Sequence, residues 1–360
     1  MSVVRIFARR TSDVRYFTDD RALELEGVRE NGPGWWWRGE GDVRDPAVVS
    51  RVLVTSDRSA IRGYDLVVAA PRATSILLAI DPLSSPGLIA AHRAAVEAAV
   101  TYLEERAVVV RETRRGVEFE RSGVWESAVA FTHGLNRHGE PHLHDHVLVG
   151  ARPRDSAGVL DSRALFAHAP SADALYRATL RHEVAQRTPW TSWRSFLGAE
   201  HVVGLDEGYR ALWAGHHRDR GEKLSWGREE TLASWRRDAE RFVSIGEVDP
   251  PSTHRRHLDE HRFCGAMEGR MDVSRRHVIA AWSDAAVFGQ GARSVVRDVD
   301  DLYPALRNGL GVHESVISVA EARMVGAVRE LGPRPLQREE LERWRYRSRD
   351  RERSREGRSR

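Results

Sequence analysis

Five histidines crowd into residues 129–147, VAFTHGLNRHGEPHLHDHV: His133, His138, His142, His144 and His146. Strand alternation decides which of them can act together. Val129, Phe131 and His133 share one face of a first strand, and His144, His146 and Leu148 share one face of a second. The turn-rich NRHGEP between them folds the chain back. Such a hairpin sets His133 opposite His144 and His146, giving three imidazoles on one sheet face with a coordination position open. Three neutral imidazoles and a vacancy for substrate are the ligand set of a catalytic metal site rather than a closed structural one. An HxH pair also arises by chance in a chain with 16 histidines; the third histidine on the partner strand is what favours metal. His142 precedes the settled strand and His138 sits at the turn, so both are accessory.

Three further groups can do chemistry beside such a site. Tyr16, in VRYFTDDRALELE, is either a core aromatic or a nucleophile, since a divalent cation and nearby bases favour the phenolate. Asp65 lies in RGYDLVVAA, a strand otherwise apolar, where a carboxylate is paired with a histidine or a tyrosine hydroxyl or else reaches solvent at an edge. Trp35, Trp36 and Trp37 with Arg38 stand between glycines in GPGWWWRGEG, and three consecutive rings cannot all enter one core. Exposed aromatics beside arginine are what single-stranded nucleic acid stacks on; packing of the loop against the sheet is the alternative.

Elements must hold these residues in place. Ser2–Phe7 reads as a first strand, and Thr11, Ser12 or Asp13 can cap the helix that carries Tyr16. Arg62–Ala70 reads as a strand and RATSILLAID as a short helix. Leu88–Arg106, rich in alanine, is a helix that covers a sheet face. VVVRETRRGVEFERS is a hairpin turning at Arg115 and Gly116, followed at once by the histidine hairpin. The class is α+β, an antiparallel sheet packed by helices; a helix is expected at Ala172–Gln186, and beyond Pro189 the chain reads as mainly helical, with Trp190, Trp193, Trp213, Trp226 and Trp235 spread along it. GEVDPPS at 246–252 is the best linker, so the expected units are 1–245, a helical extension 246–340 and an arginine-rich disordered tail 341–360.

Composition limits the function. A chain of 360 residues, 41% hydrophobic, can bury a large core, and its one cysteine, Cys264, excludes an intramolecular disulfide and a zinc cluster of cysteines. No apolar run is long enough to span a membrane and no signal sequence opens the chain, so a cytoplasmic protein is expected. From Arg343 onward nine arginines face three acids, so the net +3 of the whole leaves residues 1–342 at −3. The body is no uniformly basic binder of nucleic acid, and the tail is either a solubilising end or a nonspecific nucleic-acid arm. His254, His257, His261 and Cys264 resemble a metal stripe, but one straight helix offers only neighbouring pairs to an ion. GQG at 289–291 lacks the strand and third glycine of a dinucleotide site. Lys223 is the only lysine, so these residues hold no Walker A loop and no ATPase motor.

FTHGLNRHGEPHLHDHVLVG resembles the metal-binding motif of the TrwC-type (MobF) conjugative relaxases of the HUH endonuclease class, in which one histidine precedes an HxH pair by eleven residues. RGYDLVVAAPRATSILLA is similar to that family's aspartate strand and Ala-Pro-Lys-Ser helix start, with Arg72 in place of the lysine, and GPGWWWRGEG is similar to its Gly-Arg-Trp region. The resemblance spans roughly residues 1–190 and extends weakly toward SRRHVIAAW. It implies a nickase and strand transferase of single-stranded DNA at a transfer origin, working with a divalent metal, Mg²⁺ or Mn²⁺ with Zn²⁺ as an alternative, and with other transfer proteins as partners. His133, His144 and His146 would hold the metal, Tyr16 would keep the 5′ end as a phosphotyrosine, and Asp65 would orient a ligand or take the tyrosine proton. Trp35, Trp36, Trp37, Arg38 and Arg72 would contact DNA. Two departures stand out: Tyr16-Phe17 replaces a tyrosine pair, and no other tyrosine follows until Tyr64. A hydrolase using water, or a noncatalytic DNA-binding relative, are the rival readings.

Overall fold

A computed structural model describes residues 4–18, 34–53, 61–213 apart from gaps at 116, 137, 155, 157, 191–192, 197–198, 203–204 and 206, then 228–240, 258–267 and 273–307. Strand β1 (Val4–Arg9) leads into a single helical turn, α1 (Arg15–Thr18), and on to β2 (Gly34–Arg38), α2 (Pro46–Ser50) and β3 (Gly63–Ala69). Helices α3 (Arg72–Ile80) and α4 (Ser85–Ala107) precede the hairpin β4 (Val109–Arg114) and β5 (Val117–Ser122), then β6 (Ala128–Leu135) and β7 (Pro141–Gly150). Beyond these come α5 (Ser162–Arg187), the hairpin β8 (Trp193–Phe196) and β9 (Ala199–Val202), α6 (Glu207–Leu212), α7 (Arg228–Ala239), α8 (Glu260–Met267), α9 (Arg275–Ala285) and α10 (Ala292–Arg307).

The main sheet is antiparallel in the order β1-β3-β7-β6-β2. Directly opposed residues share a face, so register sorts the chain into two surfaces. Phe7, Asp65 and Leu148 form one cross-strand row; Arg5, Val67, His146 and Phe131 form the next. This first surface therefore carries the histidines. Its other end is sealed by a small core of Val14, Phe17, Val49, Val52, Leu53, Val129, Phe131 and Leu148, against which Trp36 packs. Burying aliphatic and aromatic side chains this completely is worth about 1.5–3 kcal/mol each, which fixes α1 and α2 against the sheet.

The second surface is covered by α4 and α5. Their alanines (Ala91, Ala95 and Ala99 on α4; Ala174 and Ala178 on α5) are buried together with Leu88, Leu103, Leu175 and Leu180. Asp173 of α5 accepts a hydrogen bond from the backbone N–H of Val4 at 2.8 Å and so pins β1. Beneath the histidine strand, His92 of α4 bridges Tyr176 of α5 (2.6 Å) and Asp145 of β7 (3.2 Å), the residue between His144 and His146. The strand bearing two of the three clustered histidines is thus anchored from its back.

Several elements differ from the sequence reading. Trp35–Trp37 are not in a loop but form an edge strand. Helix α5 begins at Ser162, capped by Asp161, and runs through Pro170, ten residues ahead of the expected start. The stretch after Pro189, expected to be mainly helical, opens with the β8-β9 hairpin. The β4-β5 hairpin forms as read, with Arg114 opposite Val117, but as a two-stranded sheet of its own. Residues 246–252 and 341–360 lie outside the described residues, as do His254 and His257. The expected boundary at 245–246 falls there as well, and Met1–Val299 form one compact unit that includes α8 and α9. Within it Ser171 of α5 donates to the carbonyl of Arg276 at 2.7 Å, and Arg181 donates to the carbonyls of Ser283 and Ala286 at 3.0 Å each. A second unit is assigned to Asp300–Arg360.

Candidate metal centre and nucleophile

The β6-β7 hairpin makes the site. His133 and His144 are cross-strand partners, and a register shift follows between His133 and Leu135. In the turn, the Asn136 side-chain oxygen accepts from the backbone N–H of His138 (2.9 Å) and Glu140 (3.0 Å), and Gly139 takes φ +75°. Only glycine adopts that backbone without strain. The Trp235 indole of α7 donates to the Gly139 carbonyl at 2.7 Å, tying α7 to the turn.

His133, His144 and His146 each offer one nitrogen, and the three lie within 4.8 Å of one another. Metal–imidazole bonds of about 2.0–2.1 Å bring such nitrogens onto one ion through displacements under about 1 Å each. Second contacts fix which nitrogen is offered. The Nδ1 of His146 is 3.0 Å from both carboxylate oxygens of Asp65, and the Nδ1 of His144 is 2.8 Å from the carbonyl oxygen of His142. Both acceptors require the proton on Nδ1, which leaves each Nε2 lone pair for a metal. Burial pushes the His144 imidazole well below its usual pKa, and the neighbouring His142, His133 and His146 add to this. It is therefore neutral at pH 7, as a ligand must be. The residues fit a divalent ion, and an all-imidazole donor set suits a first-row transition-metal dication better than Mg²⁺.

Tyr16 stands over this cluster. The Asp13 carboxylate pairs with the Arg15 guanidinium (2.8 Å) and accepts from the Arg15 backbone N–H (3.1 Å), which holds the Asp13 carboxyl at about 2. Phe17 is buried and stacks on Phe131 with ring centroids 5.5 Å apart. With its neighbour locked in the core, Tyr16 projects outward, 42% exposed. Its ring meets His133 and His146 edge-on, with centroids 5.8 and 6.0 Å away. A cavity of about 580 Å³ adjoins the preceding loop, rimmed by Arg10, Arg15 and Arg62. Asp65, buried at 6% exposure, is engaged by a histidine, one of the two partners the sequence suggested.

Of the two places the sequence left open for the tryptophan run, the structure gives packing on the sheet rather than an exposed platform. Trp35 pairs with Ala130, and Trp36 with Val129, so alternation sends Trp35 to the helix-covered surface and Trp36 into the small core. Arg93 of α4 lies 4.7 Å over the Trp35 ring, and Trp37 donates to Glu104 at 3.5 Å. Arg38 is held by the same carboxylate at 2.7 and 2.9 Å. These side chains are joined to α4 on the surface opposite the histidines. Arg72, at the start of α3, pairs with Glu140 of the hairpin turn at 3.5 Å. The His92–Asp145–Tyr176 network and the Trp235 anchor carried no sequence signal, since each joins residues more than fifty positions apart.

The family model of the TrwC relaxase matches residues 18–213 and so begins two residues after Tyr16. Solved structures share the fold at 19% identity: TrwC complexed with a 27-mer DNA comprising the recognition hairpin and the cleavage site (TM-score 0.50), and conjugative relaxase TrwC with oriT DNA in metal-bound (0.52) and copper-bound (0.54) forms. Each comparison covers 66% of this chain and 98% of the solved one. No curated protein matches the chain. The family match covers more than half of the 360 residues and takes in the Asp65 strand and the whole histidine hairpin, and by it this chain belongs to the TrwC relaxase family.

Proposed function

We propose that this chain nicks and transfers single-stranded DNA at the transfer origin of a mobile element, with Tyr16 as nucleophile and His133, His144 and His146 as holders of a divalent metal. The observation that carries the reading is the edge-on approach of an exposed tyrosine to two of three clustered imidazoles, in a member of the TrwC relaxase family. His133, His144 and His146 would hold a divalent ion, which would supply Lewis-acid polarisation of the scissile phosphate.

The chain's own residues do the rest. The Tyr16 oxygen forms a bond to phosphorus while the bond to the 3′ oxygen of the preceding nucleotide breaks. Tyr16 is open to solvent, so its proton leaves to water and the departing 3′ oxygen takes one up. The product is a 5′-phosphotyrosine and a free 3′-OH; the phosphodiester energy is kept, so the step reverses on a new 3′ end. Asp65 fixes the ring of His146 and supports its basicity. Phe17 fixes the helical turn of Tyr16. With phenylalanine at position 17 the described site supplies a single hydroxyl, so one bound 5′ end at a time is the expected stoichiometry. The reaction takes place in the cytoplasm, where the strand is available.

The test is nicking of single-stranded oligonucleotides tiled across the element's transfer origin, with Mn²⁺. Cleavage at one position, lost with EDTA and in His144→Ala, is the expected result. Cleavage that persists in His144→Ala overturns the metal assignment.

A further inference from the structure

The histidine surface continues onto β1, which lies at the edge of the sheet and pairs with β3. On that surface β1 presents Arg5, Phe7 and Arg9, alternating cation, aromatic ring and cation. Arg9 is turned to the small core, its guanidinium 5.6 Å over Phe17 and donating to the Asp13 carbonyl. Arg5 and Phe7 are exposed, and Phe7 keeps 51% of its surface open, among the most exposed large apolar residues of the chain. Phe7 is directly opposed to Asp65, the residue that orients His146, and Arg5 to Val67, which is opposed to His146 itself. With strands about 4.8 Å apart, the two side chains rise about 10 Å from β7 on the same face as the metal ligands and Tyr16.

We infer that Phe7 is a stacking platform for a base of the strand held at Tyr16, and that Arg5 pairs with that strand's backbone phosphate. This rests on the DNA reading above and adds where the strand runs: across β1, not along the tryptophan edge. An exposed ring flanked by a cation on an open sheet face is the arrangement that binds single-stranded nucleic acid without regard to sequence, because every base has a π face. The tryptophans of β2 are engaged by α4 and the core. Among the described residues, Phe7 is the exposed aromatic ring next to the site besides Tyr16. The half-open position also means that Phe7→Ala removes little packing, so the fold survives the test.

The test uses the full chain carrying Tyr16→Phe, which separates binding from cleavage, and two fluorescein-labelled probes: dT15 and a 15-mer of the same backbone without bases. Phe7→Ala is expected to weaken dT15 binding about tenfold, the order of one base–aromatic stack, and to leave the abasic probe unchanged, with Phe7→Trp restoring affinity. Arg5→Ala is expected to weaken both probes and to lower the salt dependence of binding by about one phosphate contact. Equal affinity of Phe7→Ala for dT15, or equal losses on both probes, overturns the stacking role. Loss confined to dT15, together with no cleavage of the tiled transfer-origin oligonucleotides by the wild-type chain in Mn²⁺, upholds the surface and overturns the nicking reading. No binding of dT15 overturns the stacking surface, while the nicking reading is decided by the transfer-origin oligonucleotides.

Discussion

Both carboxylate oxygens of Asp65 lie 3.0 Å from Nδ1 of His146, across the β3-β7 pairing that makes Val67 and His146 direct neighbours. The carboxylate holds the proton on Nδ1 and turns Nε2 toward His133 and His144. Asp65→Asn keeps the shape and loses the charge. It is expected to weaken Mn²⁺ binding about 10- to 100-fold in calorimetry without unfolding the protein. Unchanged affinity would remove Asp65 from the metal centre.

Metal binding must appear as stability. At a free Mn²⁺ concentration of about one hundred times Kd the folded state gains about 2.7 kcal/mol. Thermal unfolding of the wild type is therefore expected to move up by several degrees, and that of His133→Ala or His144→Ala not at all. A shift of equal size in those variants would locate the ion elsewhere.

Acid is expected to weaken the metal-free protein. Burial, foremost, with Arg72 and Arg5 beside it, holds His142 down at about 4, and burial with Arg276 nearby does the same for His168. The unfolded chain takes up these protons near pH 6.5 and the folded chain only near pH 4. Between those values the unfolded state binds more protons, so stability falls as pH falls. Each ring contributes at most about 1.4 kcal/mol per pH unit, less for His168, which water partly reaches. Urea midpoints in chelator should drop between about pH 7.5 and pH 5; equal midpoints would contradict these environments.

Glu104 collects Arg38, the Trp37 indole and the backbone N–H of Trp125 (3.1 Å) on one buried carboxylate. Glu104→Ala leaves those donors without it and is expected to cost about 1–3 kcal/mol in chemical denaturation. Binding of dT15 by the folded variant should be unchanged, because this cluster joins β2 to α4 on the surface away from the histidines. A large loss of DNA affinity with normal stability would return the tryptophan edge to the DNA path.

These contrasts show what alternation could reveal. Within the histidine hairpin, parity and a short turn are local, so the facing of His133 and His144 was legible in the amino-acid sequence. Asp65 was legible as a charge in an apolar strand. The surface reached by Trp35 and Trp37 was not, because β2 pairs with β6, more than ninety residues later, and that pairing sets the face. Phe7 gave no signal for the same reason: its opposition to Asp65 exists only once β1 has joined β3. Pro170 hid the start of α5, and the aromatic content around Trp193 was read with the helices that follow it.

The most direct test is a denaturing gel of the purified chain after incubation with labelled single-stranded oligonucleotides from the transfer origin and Mn²⁺, beside Tyr16→Phe. A labelled protein–DNA adduct that survives denaturation, maps to the Tyr16 peptide and vanishes in Tyr16→Phe is the predicted result. Cleavage without adduct, unchanged in Tyr16→Phe, would mean that water is the nucleophile and would contradict the account.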